Sequence, residues 1–180
     1  MKNRIGLLLI TSLLSIIALS SFIPNSNVNS TEEKVNWVTI EEAQELQKTE
    51  QRPIYIDVYT TWCGPCKTMA AKTFTNKSVI ETLNSKFYAV KFDAESKKKI
   101  LFKEKSYRSP GRYHDFTSFL QVQAFPTSVF IDSNLNVITS VSGLFYPKEF
   151  KPMLEFIGDD HYKTKSWEEF TKKKASKKDL

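Results

Sequence analysis

The two cysteines of this 180-residue chain, Cys63 and Cys66, are separated by only two residues. A disulfide between them closes a very small loop, so it removes little entropy from the unfolded chain and stabilises the fold weakly. The pair is better suited to chemistry, because sulfurs at this spacing can meet without a large backbone movement. We therefore expect thiol–disulfide exchange here, in which a thiolate attacks a disulfide sulfur.

The residues around the two cysteines predict a strand that leads into a helix. The run 53–59 is rich in β-forming apolar residues and predicts a strand buried on both faces, and 63–74 is compatible with a helix. A helix N-terminus favours an anion, because its unpaired N–H groups carry about half a positive charge. This position predicts that Cys63 is the exposed nucleophile. Cys66 lies one turn deeper, where it would attack the mixed disulfide and release the reduced product.

The remaining pattern predicts an α/β fold with a central mixed β-sheet and helices on both faces, because parallel strands joined through helices precede an antiparallel pair. The predicted helices are Ile40–Lys48, Lys77–Leu83 and Pro147–Ile157, and the predicted strands are Phe87–Phe92, Thr127–Ile131 and Asn136–Val141. Pro152 is expected to interrupt the last helix.

The segment Glu95–Tyr113 is polar and rich in lysine, and we expect it to be a solvated loop outside the core. The alternative is a loop beside the site that selects partners. The aromatic residues Phe116, Phe119 and Phe125 are expected to belong to the core rather than to a ligand cage.

The stretch Trp62-Cys-Gly-Pro-Cys-Lys67 resembles the signature of thioredoxins and of the thioredoxin-like superfamily. The resemblance covers about residues 34–158. It is closest to exported thioredoxin-like proteins, which are similar to the C-terminal thiol domain of the membrane-bound disulfide reductant. The resemblance implies a thioredoxin fold and protein-disulfide oxidoreductase activity without a cofactor or metal. It places Trp62, Gly64 and Pro65 beside the substrate.

The resemblance also assigns roles to residues outside the motif. Asp57 matches a buried acid whose pKa desolvation should raise, and which would exchange a proton with Cys66 through water. Lys91 matches the lysine that approaches this acid and favours its charged form.

Two later residues match the family pattern as well. Pro126 matches a cis-proline that faces the cysteines and presents backbone to a substrate strand, and Gly143 matches a glycine after the last strand. Phe125 is bulkier than the residue common before that proline. The segment between Lys91 and Pro126 is also longer than in compact thioredoxins. Both differences from the family pattern border the surface that is expected to bind substrate.

The chain ends differ in composition from the middle. Residues 1–23 combine Lys2 and Arg4 with the uncharged run 5–23, which predicts a signal peptide cleaved after Ser20. An uncleaved N-terminal membrane anchor is the alternative. Residues 24–33 follow as a polar linker, 34–160 as the thioredoxin-like domain and 161–180 as a basic tail. Either form of the leader predicts a periplasmic or other extracytoplasmic protein.

The net charge of +6 belongs to the two ends of the chain. The leader carries +2, and the last twenty residues carry seven lysines against three acidic residues, which leaves 21–160 neutral. A neutral body argues against nucleic-acid binding. The tail is expected to form a short helix from Trp167 with a solvated basic end, and binding of anionic lipid or an acidic partner is a secondary option.

These observations predict a monomeric exported enzyme that reduces disulfides of other exported proteins and takes electrons from a membrane donor. The alternative is a non-catalytic binding module that holds client proteins or a soft metal such as copper. A metal would combine the cysteines with His114 or His161, but two isolated histidines are expected to be surface residues.

Overall fold

The computed structural model describes the backbone of residues 34–176 and the side chains of residues 34–172. The predicted leader, the predicted linker and the final residues of the basic tail lie outside the described residues. Within the described part, the helices are too short or too polar to cross a membrane.

The described residues form seven strands, six α-helices and one short 3-10 helix. The strands are β1 (Trp37–Val38), β2 (Ile54–Tyr59), β3 (Tyr88–Asp93), β4 (Ile100–Phe102), β5 (Lys105–Tyr107), β6 (Thr127–Ile131) and β7 (Val137–Ser142). The helices are α1 (Ile40–Thr49), α2 (Gly64–Lys72), α3 (Lys77–Lys86), α4 (Asp115–Phe119), α5 (Pro147–Gly158) and α6 (Trp167–Ser176), and the 3-10 helix is His161–Lys163. The predicted strands and helices are all present, and β1, the β4–β5 pair and α4 are additional.

Five strands form one mixed sheet in the order β1-β3-β2-β6-β7. Strands β1 and β2 both run parallel to β3, whereas β6 is antiparallel to β2 and β7 is antiparallel to β6. The predicted mixed α/β sheet is therefore confirmed. Because β2 lies in the middle, the residues that follow its end are held at the centre of one sheet edge.

The two faces of β2 pack into two separate cores. Ile54, Ile56 and Val58 are fully buried in a cluster with α1, α4 and the β4–β5 hairpin. Tyr55 is fully buried in the opposite cluster with α2, α3 and α5. This alternation follows from the two-residue period of a strand, and both faces of the sheet are covered as expected.

The segment 95–113, predicted as a solvated loop outside the core, is mostly exposed but contributes three side chains to the core, so that prediction is wrong in part. It forms the β4–β5 hairpin, in which Ile100 pairs with Tyr107 and both are buried together with Phe102. The Phe102 ring lies 5.3 Å from the ring of Phe116. The lysines occupy the solvent side of the hairpin, and alternation hides three apolar residues inside a polar stretch.

Helix α5 runs without interruption through Pro152, contrary to expectation. A proline inside a helix removes one backbone hydrogen bond and costs roughly 3 kcal/mol. The buried side chains Phe150, Leu154 and Ile157 offset this cost, because they lie at helical spacing and pack into the second core. The predicted helix in the tail is confirmed as α6.

Candidate active site

The disulfide between Cys63 and Cys66 lies where β2 gives way to α2. Cys63 is the N-cap residue of α2, and its Sγ accepts a hydrogen bond from the backbone N–H of Cys66 at 3.1 Å. Pro65 stands in the first turn, where its missing N–H breaks no helical bond. The predicted passage from strand to helix is confirmed, and the Cys66 N–H in the first turn of α2 points at the Cys63 sulfur.

The expected difference in exposure between the two cysteines is wrong for the disulfide form. Cys63 is 3% exposed and Cys66 is 7% exposed. The bond holds both sulfurs against the first turn of α2, so neither side chain projects into solvent. The cysteines differ instead in their access to a groove, which is lined by Cys63 and not by Cys66.

The groove beside Cys63 gathers most of the residues predicted to contact substrate. It has a volume of about 510 Å³ and is lined by Trp62, Cys63, Gly64, Pro65 and Phe125, together with Tyr113. The Phe125–Pro126 peptide bond is cis and Pro126 is buried. The Pro126 carbonyl accepts the N–H of Gly143, whose φ of 131° suits glycine.

Asp57 lies in the centre of the sheet on β2, in register with Lys91 on β3. Its side chain is 4% exposed, and its Oδ2 lies 3.7 Å from the Lys91 Nζ. Burial raises the pKa of Asp57 to about 6, and the charge of Lys91 opposes this rise. Both directions agree with the sequence-based expectation. A carboxyl group with this pKa is mostly ionised at neutral pH and can accept a proton.

Lys91 is surrounded by aromatic rings that the sequence did not point to. Its Nζ lies 4.9 Å from the ring centre of Tyr59, 5.4 Å from that of Trp37 and 5.9 Å from that of Phe74. An ammonium group is attracted to the negative faces of such rings. The three rings therefore help to keep the positive charge close to Asp57.

The segment 95–113 also reaches the groove, through contacts that the sequence did not indicate. The Trp62 indole N–H donates to Glu95 Oε2 at 2.8 Å, and Arg112 Nε–H donates to Glu95 Oε1 at 3.0 Å. The Tyr113 ring lies 5.4 Å from the ring of Phe125. The alternative prediction, a loop beside the site, agrees with these contacts. Its role in choosing partners stays a prediction.

His114 is fully buried, so the expectation of a surface histidine is wrong for it. Its Nδ1 accepts the N–H of Phe116 and caps α4, and its Nε2 lies 2.9 Å from the carbonyl oxygen of Lys98. Both nitrogens thus serve the fold. Among the described residues, groups of three or more histidine, cysteine or acidic side chains placed to hold a metal ion are absent.

Solved structures of thioredoxin-fold proteins superimpose on this chain. One is described as DsbH oxidoreductase, which is 16% identical with a TM-score of 0.53 over 70% of this chain and 85% of that one. Another is a putative disulphide-isomerase from Bacteroides thetaiotaomicron, which is 22% identical with a TM-score of 0.55 over 76% of this chain and all of that one. These likenesses define the class: the chain has a thioredoxin fold.

The family follows from the sequence match. A family model described as a thioredoxin-like domain matches residues 40–158, and the chain belongs to this family. Among curated proteins, thioredoxin-1 of Drosophila melanogaster is 28% identical over 89 residues, which cover 49% of this chain and 65% of that protein. The chloroplastic thioredoxin Y of Oryza sativa is 29% identical over 91 residues, which cover 51% and 43%. The matches thus span less than two thirds of these relatives.

Proposed function

We propose that the protein is an exported thiol–disulfide oxidoreductase that reduces disulfides in other exported proteins through Cys63 and Cys66. The observation that carries this proposal is the disulfide at the N-terminus of α2, with Cys63 lining an open groove. A buried carboxyl group with a pKa of about 6 on the preceding strand supports it. Family membership supports the same chemistry.

The first step uses the reduced protein. The Cys63 thiolate attacks one sulfur of a client disulfide, forms a mixed disulfide with it and expels the other client sulfur as a thiolate. The Cys66 N–H and the end of the α2 dipole stabilise negative charge at the Cys63 sulfur. The groove brings the client next to Cys63, because Cys63 lies in its lining.

The second step releases the client. The Cys66 thiol gives its proton, through water, to the Asp57 carboxylate, and the resulting thiolate attacks the Cys63 sulfur. The Cys63–Cys66 disulfide forms, the mixed disulfide breaks, and the second client sulfur leaves as a thiolate. The client gains two electrons and the protein loses two, which gives the oxidised form described by the structure.

Direction and location rest on the sequence. Gly64 and Pro65 between the cysteines resemble reducing members of the family, and thioredoxin has a reduction potential of about −270 mV. The composition of residues 1–23 favours export to the periplasm or another extracytoplasmic space. Because such a compartment is oxidising, a membrane electron donor would return the disulfide to the dithiol. We propose that the protein acts as a monomer.

Reduction of insulin by the leader-free chain, with a chemical dithiol as the electron source, tests this function. We expect wild type to accelerate the reaction, Cys63→Ser to fall to the uncatalysed rate, and Cys66→Ser to accumulate a mixed disulfide on Cys63. His161→Gln is a matched control away from the groove and should behave as wild type. Equal activity of wild type and Cys63→Ser would refute the proposal.

A further inference from the structure

Glu95 and Arg112 connect the segment 95–113 to Trp62, the residue before Cys63, and we refer to these three side chains as the clasp. One carboxylate oxygen of Glu95 accepts from the Trp62 indole, and the other accepts from the Arg112 guanidinium. The Arg112 guanidinium also lies 5.3 Å from the centre of the Trp62 ring. The indole is thus held at its N–H by a hydrogen bond and at its ring by a cation–π contact.

The clasp holds the indole within a larger aromatic surface. Trp62 and Phe125 meet edge to face with their ring centres 6.2 Å apart, and Phe125 contacts Tyr113 at 5.4 Å. Arg112 lies 5.3 Å from the Tyr113 ring as well. We refer to Trp62, Tyr113 and Phe125 as the aromatic wall. All three rings line the groove that contains Cys63.

The clasp does little for the stability of the fold. The Arg112 side chain is 65% exposed and that of Glu95 is 26% exposed, and ion pairs in water contribute about 0–1 kcal/mol. Two residues of the aromatic wall remain accessible to solvent: Trp62 is 53% exposed and Tyr113 is 37% exposed. Large apolar side chains that are kept in water beside a reactive atom indicate a binding surface. Fixing them before the partner arrives lowers the entropy cost of binding.

We propose that Glu95 and Arg112 are positioning residues that hold the aromatic wall, and that the wall selects client segments with a large apolar or aromatic side chain next to the disulfide cysteine. This inference rests on the proposed function, because the wall acts on whatever Cys63 attacks. The volume of the groove is in the range of pockets that bind small ligands, so it accommodates a side chain and its flanking backbone. A lining that contains three aromatic rings favours apolar and aromatic groups over small polar ones.

A pair of disulfide peptides that differ only in the residue before the cysteine, Phe or Ser, tests the inference. We expect reduced wild type to favour the Phe peptide by about tenfold in kcat/KM, which corresponds to partial burial of one aromatic side chain. Glu95→Gln and Arg112→Lys should each lower this preference to about twofold, mainly by raising KM for the Phe peptide. A structural role alone would not change this ratio. Glu104→Gln and Arg108→Lys alter exposed residues of the same segment and should keep the full preference.

The outcomes separate this inference from the proposed function. Equal rates of wild type with the two peptides would overturn the role of the wall and leave the oxidoreductase activity intact. A tenfold preference that persists in both Glu95→Gln and Arg112→Lys would overturn the role of the clasp. Wild type that reduces neither peptide nor a small aromatic disulfide would overturn the proposed function and the inference together.

Discussion

Two ion pairs of the candidate active site differ in burial, and the pair with the shorter distance has the smaller chemical effect. Glu95 and Arg112 are 3.0 Å apart with both side chains in contact with solvent, whereas Asp57, which is buried in the sheet, lies 3.7 Å from Lys91, whose side chain is 34% exposed. Burial raises the pKa of Asp57 to about 6 despite Lys91. The hydrogen bond that Arg112 donates to Glu95 raises the pKa of Arg112, but a guanidinium is charged at every working pH.

This comparison shows that burial, more than distance, decides what a charged pair does here. Water screens the exposed Glu95–Arg112 pair, so this pair contributes little free energy. Its effect is to orient the Trp62 ring. In the other pair only Asp57 is buried, and desolvation of this carboxyl group raises its pKa into the range needed for catalysis near neutral pH. We therefore propose that Asp57 serves proton transfer, and that Glu95 and Arg112 serve the shape of the binding surface.

The largest expected effect is on stability. Replacing Asp57 by Asn should raise the free energy of unfolding at pH 8 by up to about 3 kcal/mol, because the folded protein no longer holds a desolvated carboxylate whose pKa is shifted from 3.8 to about 6. Because the pKa of Asp57 is higher in the folded than in the unfolded state, its carboxyl group contributes its full stabilisation below the unfolded-state pKa of 3.8. This contribution is lost as the pH rises through about 6. The gain in Asp57→Asn should therefore nearly vanish at pH 4.

Urea denaturation of the oxidised proteins at pH 4 and pH 8 measures this effect. Glu95→Gln is the matched change in the exposed pair and should alter stability by less than about 1 kcal/mol at both pH values. An Asp57→Asn variant that is less stable than wild type at pH 8 would contradict the proposed cost of burying the carboxylate.

The second expected effect is on the release of client. Asp57→Asn should slow the decay of the mixed disulfide on Cys63 by about 10–100-fold at pH 7.5, since Cys66 loses its proton acceptor. Rapid acid quenching followed by mass spectrometry measures the lifetime of this intermediate. Glu95→Gln should change the lifetime far less. Similar lifetimes in wild type and Asp57→Asn would remove Asp57 from the mechanism.

The third and smallest expected effect is a shift in pH dependence. In wild type, the decay of the mixed disulfide should slow as pH falls through about 6, because Asp57 becomes protonated. Lys91→Met should move this midpoint to higher pH, since the charge that favours the carboxylate is gone. Arg112→Met removes the cation of the exposed pair and should leave the midpoint in place. An equal shift of the midpoint in Lys91→Met and Arg112→Met would show that the position of the removed cation does not determine the pKa of Asp57.

The residues proposed to carry the chemistry could be predicted from the sequence because short-range sequence patterns determine the elements that hold them. The apolar run of β2 and the Gly-Pro pair after Cys63 mark the strand and the helix start. Asp57 and Lys91 meet because they occupy equivalent positions on neighbouring parallel strands. Elements built on short-range periodicity were therefore correct, apart from shifts of a few residues at their ends.

The parts that could not be predicted depend on long-range contacts. The link between Trp62 and Glu95 joins side chains 33 positions apart, and no periodic pattern marks it. In the β4–β5 hairpin, Ile100 and Phe102 alternate with the exposed Leu101 within three residues, too short a run to stand out among lysines. The burial of His114 follows from its role as the cap of α4, a five-residue helix without a recognisable sequence pattern.

An NMR titration of the Asp57 side-chain carboxyl carbon in the oxidised protein tests the central claim most directly. The account predicts a midpoint near pH 6, well above the ordinary value of 3.8 for an aspartate. A midpoint at or below that ordinary value would show that Lys91 outweighs desolvation. It would contradict the claim that burial makes this carboxylate the proton acceptor for Cys66.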